Sequence, residues 1–136
     1  MKRPAGLAVA ALVATAVVAA APASAATFFE TPSHNIGCAI SKSVARCDIR
    51  VRAWEPPPKP ARCPVDWGNG LTVARRGFAH PVCAGDTVFG GQRVLGYRKS
   101  IRRGRFECTS RRDGVRCVNL RSEHGFKLGR RSARWF

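Results

Sequence analysis

The chain has 136 residues, with 24 Lys or Arg against eight Asp or Glu and a formal net charge of +16. That length holds one modest core and excludes a multidomain architecture. The charge points away from cationic partners and toward polyanions.

Residues 1–25 read as a signal peptide. Lys2 and Arg3 form a charged start, Ala5–Ala21 is an uncharged Ala/Val/Leu run, and Ala23-Ser24-Ala25 offers the small residues of a cleavage site before Ala26. A membrane-spanning helix wants about 20 strongly apolar residues, whereas this run is shorter, alanine-rich and followed by Pro22. The first cysteine is Cys38, too far downstream for a lipid anchor. The expected product is a secreted, extracellular single domain over residues 26–136, with no integral membrane span. Its charge is lopsided: residues 26–92 carry eight basic against five acidic side chains, and residues 93–136 fourteen against three.

Cys38 and Cys47 stand nine positions apart, as do Cys108 and Cys117, each pair with an arginine (Arg46, Arg116) before its second cysteine. Six cysteines in a short exported chain imply three disulfides among fifteen connectivities. Hairpins at the two C-x8-C segments place Cys38 opposite Cys47 and Cys108 opposite Cys117, leaving Cys63 for Cys83. The second hairpin admits two turns. A four-residue turn, Arg111-Arg112-Asp113-Gly114, uses Gly114 best, and a two-residue turn better sets the cysteines at a non-hydrogen-bonded pair. A zinc site lacks C-x2-C spacing and would need thiolates that export oxidises, so no metal or cofactor is expected.

From Ala45 to Ala53 apolar and polar residues alternate strictly, which predicts a half-buried strand with Arg46, Arg50 and Arg52 outward. Glu55–Pro60 cannot pair in a sheet and predicts an extended connector. Leu71–Ala74, Pro81–Cys83, Arg93–Tyr97, Gly104–Ser110, Val115–Asn119 and Phe126–Leu128 read as short strands. Gly68-Asn69-Gly70, Gly85-Asp86 and Gly90-Gly91 read as turns. No long stretch keeps helical periodicity. The fold expected is all-β: a small disulfide-stapled antiparallel sandwich or partly open barrel built on the two C-x8-C hairpins.

The blocks Pro32-Ser33-His34-Asn35-Ile36-Gly37-Cys38, Arg46-Cys47-Asp48-Ile49, Trp54 with its proline run, Cys63 with Asp66-Trp67-Gly68, Cys83-Ala84-Gly85-Asp86-Thr87, and Gly114-Val115-Arg116-Cys117 with His124-Gly125-Phe126 come in this order. In that order the chain resembles a family of small secreted actinobacterial six-cysteine proteins with no assigned function. The resemblance covers essentially all of residues 26–136 and implies fold, export and disulfides, but no catalytic or binding residues. Where that family reads Gly-His-Gly-Phe and then Leu-Ser-Arg, this chain has Glu123-His124-Gly125-Phe126 and Leu128-Gly129-Arg130.

Catalytic templates fail. There is no G-x-S-x-G and no H-E-x-x-H, and Asp86-Thr87 is followed by Val88 where an aspartic-protease loop has glycine. No catalytic residue is assigned. The function expected is a non-catalytic binding module for an anionic partner: a cell-wall polymer, nucleic acid or anionic lipid. Its candidate contacts are Arg46, Arg50, Arg52, Arg102, Arg103, Arg105, Arg111, Arg112 and Arg116, since guanidinium forks suit phosphate and carboxylate. The alternative is a small metal-independent ribonuclease-like hydrolase. It would draw its acid and base from Glu30, Glu107 or Glu123 with His34 or His124. The aromatic residues read mainly as core, with Trp135-Phe136 either a last buried strand or an exposed anchor.

Overall fold

The computed structural model describes residues 1–20 and 25–136. Most of the cleavage motif expected at Ala23-Ser24-Ala25 lies outside the described residues. Residues 1–20 are exposed and form neither helix nor strand. Among the described residues no helix is long and apolar enough to cross a membrane.

The described residues form ten strands in two five-stranded antiparallel sheets, each a meander in chain order. The first holds β1 (Thr27–Glu30), β2 (Ile36–Ile40), β3 (Val44–Ile49), β4 (Trp67–Ala74) and β5 (His80–Cys83). The second holds β6 (Ser100–Arg103), β7 (Phe106–Arg111), β8 (Gly114–Asn119), β9 (Gly125–Leu128) and β10 (Ala133–Trp135). The sheets stack as a sandwich, with β3 and β4 facing β7, β8 and β9. Their inner faces bury Phe29, Phe106 and Phe126 with Ile40, Leu71, Val73, Val115 and Leu128. Alternation explains which residues these are, because side chains on a strand point to opposite faces in turn.

The disulfides are Cys38–Cys47, Cys63–Cys83 and Cys108–Cys117. Both hairpins have two-residue turns: Ser41 N donates to Val44 O, and Arg111 pairs with Gly114. Counting back from either turn puts the cysteines at a non-hydrogen-bonded pair. Their Cα separations of 4.1 and 4.0 Å fit the close spacing of that pair type. Gly114 sits at φ 139°, and a Cβ there would fall 2.1 Å from the Leu128 carbonyl oxygen. Both the angle and the close approach demand glycine. The two bridges meet in the middle of the core, with Cys47 Sγ 3.6 Å from Cys117 Sγ. The sulfurs of Cys38, Cys47 and Cys117 lie within 4.8 Å of one another, but all three are disulfide-bonded and offer no thiolate to a metal.

Several expected elements differ. The alternating run of Ala45–Ala53 stops being a strand at Ile49. Beyond it the Asn35 amide clamps Val51, donating to its carbonyl at 2.9 Å and accepting from its N–H at 2.8 Å. Val51 is therefore 53% exposed and not core. Gly68-Asn69-Gly70 lies inside β4, where the register with β5 shifts between Trp67 and Leu71. There Gly68, at φ 75°, lets Pro56 of the proline connector lie against the sheet, and Trp67 Nε1 donates to Pro57 O at 2.8 Å. Arg93–Tyr97 forms no strand. It contributes one parallel bridge, Val94 to Glu30, within a long connection that covers the outer face of the first sheet.

Candidate anion-binding site

In a meander the connections alternate between the two ends, so one end of this sandwich collects the β2–β3 turn, residues 75–79, the β6–β7 turn and residues 120–124. Asn119, fully buried at the end of β8, ties them together. Its Nδ2 donates to Ala74 O at 3.2 Å and Arg75 O at 3.4 Å. Its Oδ1 accepts from Arg121 N at 3.0 Å and Ser122 N at 3.4 Å. The next residue, Leu120, donates its N–H to Arg105 O at 2.7 Å. One buried amide and its neighbour thus fix the backbone at Arg75, Arg105 and Arg121.

Arg75, Arg76, Arg105 and Arg121, with Ser43 and Ala74, line a cleft of about 780 Å³. Five ion pairs join described residues, and none includes any of these four arginines. Arg105 is held below the usual arginine range, first by lost hydration and then by the charges of Arg121 and Arg75. It stays protonated at neutral pH, since an arginine starts far above it. Like charges gathered without a counter-charge raise one another's energy, and an incoming anion relieves that cost.

A second basic surface lies on the outer face of the second sheet. The register aligns Ser100, Thr109, Arg116, Lys127 and Arg134 in one row across all five strands. A cleft of about 440 Å³ there is also lined by Tyr97, Arg98, Arg111, Arg112 and Asp113. This surface is partly compensated. Lys127 pairs with Asp113, whose carboxyl it holds below the usual range. Arg112 lies 4.8 Å from the Tyr97 ring centre, and Arg116 5.7 Å from that of Phe136.

The arginines singled out in the sequence separate accordingly. Arg46 is engaged internally, bonding both carboxylate oxygens of buried Asp48 at 3.1 and 2.9 Å and reaching Asp86 at 3.0 Å. Asp48 also accepts from Val88 N, so this cluster pins the 84–95 connection to the sheet. Arg50 donates to His34 O at 3.0 Å and lies 3.9 Å from the Phe89 ring centre. Arg52 lies over Trp54 at 5.1 Å. Neither Arg50 nor Arg52 is on β3. Arg102 and Arg103 bond the Gly104 and Arg102 carbonyls, and Arg103 also the Thr27 hydroxyl. Arg111, Arg112 and Arg116 belong to the outer-face row and its end. Only Arg105 joins the uncompensated cluster, and its partners Arg75, Arg76 and Arg121 were not among the candidates.

Neither cleft is lined by a histidine. His34 lies in the β1–β2 connection, at the end opposite the arginine cluster. Its Nδ1 is 2.7 Å from Glu30 Oε2. That bond, offset by burial and aided by Gly90 N–H and Arg50, holds the Glu30 carboxyl below its ordinary range. His80 Nδ1 faces the Pro81 carbonyl at 2.9 Å. His124 stacks on Phe78, ring centres 4.3 Å apart. Neither Glu107 nor Glu123 forms an ion pair with a histidine among the described residues.

Residues 8–136 match a family of unknown function (DUF6636), and the chain belongs to that family. No curated protein and no solved structure matches it.

Proposed function

We propose that the protein is a secreted, non-catalytic binding module whose arginine end takes an anionic partner at the cell envelope or outside the cell. Four arginines converging on one cleft with no carboxylate among them carry this reading. Export rests on the leader composition, and three disulfides suit an oxidising compartment. The test is retention on immobilised polyphosphate at moderate salt, comparing the oxidised protein with the variant Arg75→Gln/Arg76→Gln/Arg105→Gln/Arg121→Gln. A matched variant, Arg116→Gln/Lys127→Gln/Arg130→Gln/Arg134→Gln, removes the same charge elsewhere. The cleft variant should elute far earlier than the matched one. Equal elution would reduce the effect to net charge and sink the proposal.

One contact favours the hydrolase alternative. Glu30 orients His34 through Nδ1, leaving Nε2 of a 63% exposed side chain toward solvent, with Arg50 beside them. Metal-free RNA turnover lost in His34→Ala at unchanged melting temperature would establish it. Under the binding-module reading neither protein turns RNA over.

A further inference from the structure

Phe78 is 69% exposed, the most exposed aromatic side chain in the folded domain. It sits two residues after Arg76 in the β4–β5 connection, and its ring rests on His124, three residues after Arg121 in the β8–β9 connection. The two connections that carry three of the four cleft arginines therefore also carry an aromatic pair. Chain geometry places the Phe78 Cα within about 8 Å of that of Arg76, and the His124 Cα within about 11 Å of that of Arg121. Asn119 locks the two connections to each other, so arginines and rings keep a fixed relation.

We infer that this end of the sandwich binds single-stranded nucleic acid, with the four arginines on the phosphodiester backbone and Phe78, backed by His124, stacking on a base. The inference rests on the anionic-partner reading and narrows it. A cationic groove with an exposed ring beside it is the combination that unpaired strands need, since every base has an apolar face. A base-free phosphate polymer would use the arginines and leave the ring idle. A duplex keeps its base faces stacked and out of Phe78's reach.

The experiment uses the oxidised protein and two labelled probes of about 12 nucleotides, oligothymidylate and an abasic strand of the same length and charge. Binding is followed by fluorescence anisotropy at one fixed salt concentration. Oligothymidylate should bind at least about fivefold tighter than the abasic strand. Phe78→Ala should erase that difference while leaving abasic binding unchanged, and Phe78→Trp should keep or widen it. Because Phe78 is exposed, both variants should melt with the parent. Equal affinity of the parent for both probes overturns the inference and leaves the anionic-partner reading standing. Failure to bind either probe overturns both.

Discussion

Asn119→Ala is the substitution that asks most of the architecture. The side chain is fully buried and makes four hydrogen bonds, two of them at 3.2 Å or less. A well-formed bond contributes about 1 kcal/mol net, and a buried backbone group left without a partner costs about 1–3 kcal/mol. The ends of the Ala74 and Arg121 segments regain some solvent on release. The expected loss is then about 2–4 kcal/mol, more than the two short bonds alone and less than four full penalties. For a domain of this size that lowers the melting temperature by roughly 8–16 °C. Thermal and denaturant unfolding with the disulfides intact would measure it, with exposed Asn69→Ala as a control expected to change stability by less than about 0.5 kcal/mol. The same variant should weaken polyanion binding although it removes no charge, because Arg75 and Arg121 lose their anchor. Stability within about 0.5 kcal/mol of the parent, or unchanged binding, would refute this role for Asn119.

Arg46→Ala should cost about 3–5 kcal/mol, since it strands the buried Asp48 carboxylate. Arg46→Met with Asp48→Leu should recover much of that loss in chemical denaturation, although Val88 N loses its acceptor. Removing the core bridge with Cys38→Ala/Cys47→Ala should destabilise more than Cys63→Ala/Cys83→Ala. Chain entropy alone predicts the opposite by about 0.6 kcal/mol, because the second loop is about twice as long. What reverses the order is the packing of Cys47 against Cys117 in a core that Cys83 lies outside. The Glu30 carboxyl is depressed on folding, so its contribution is complete above the unfolded value near 4.5 and fades as pH falls through the lower folded value. A pH titration of stability should show that acid limb, and it should be shallower in His34→Ala, which removes the side-chain hydrogen bond to Glu30.

The two C-x8-C hairpins were legible because their information is local: nine-residue spacing, a turn and an alternating pattern suffice. Elimination then named the third bridge. The edge strands β1 and β6 were not legible, since four residues such as Ser100–Arg103 carry no alternation long enough to read. They become strands by pairing with a neighbour already in place. Alternation alone puts Val51 on the buried face of the Ala45–Ala53 run, and a side-chain clamp from Asn35, sixteen positions away, overrides that pattern. Charge density in the last 44 residues pointed to Arg105 and Arg121's region but away from Arg75 and Arg76, which sit in the weakly charged half. Their convergence depends on hydrogen bonds spanning 44 and 45 positions. The doublet Arg75-Arg76 between the end of β4 and Gly77 was the only local signal.

The salt dependence of polyphosphate binding tests the central claim most directly. If four uncompensated arginines each release counterions on binding, the slope of log K against log salt should become shallower by about 3 in the variant lacking Arg75, Arg76, Arg105 and Arg121. The matched variant lacking Arg116, Lys127, Arg130 and Arg134 should keep a slope close to the parent's. Identical slopes for the two variants would contradict a site at the arginine end of the sandwich.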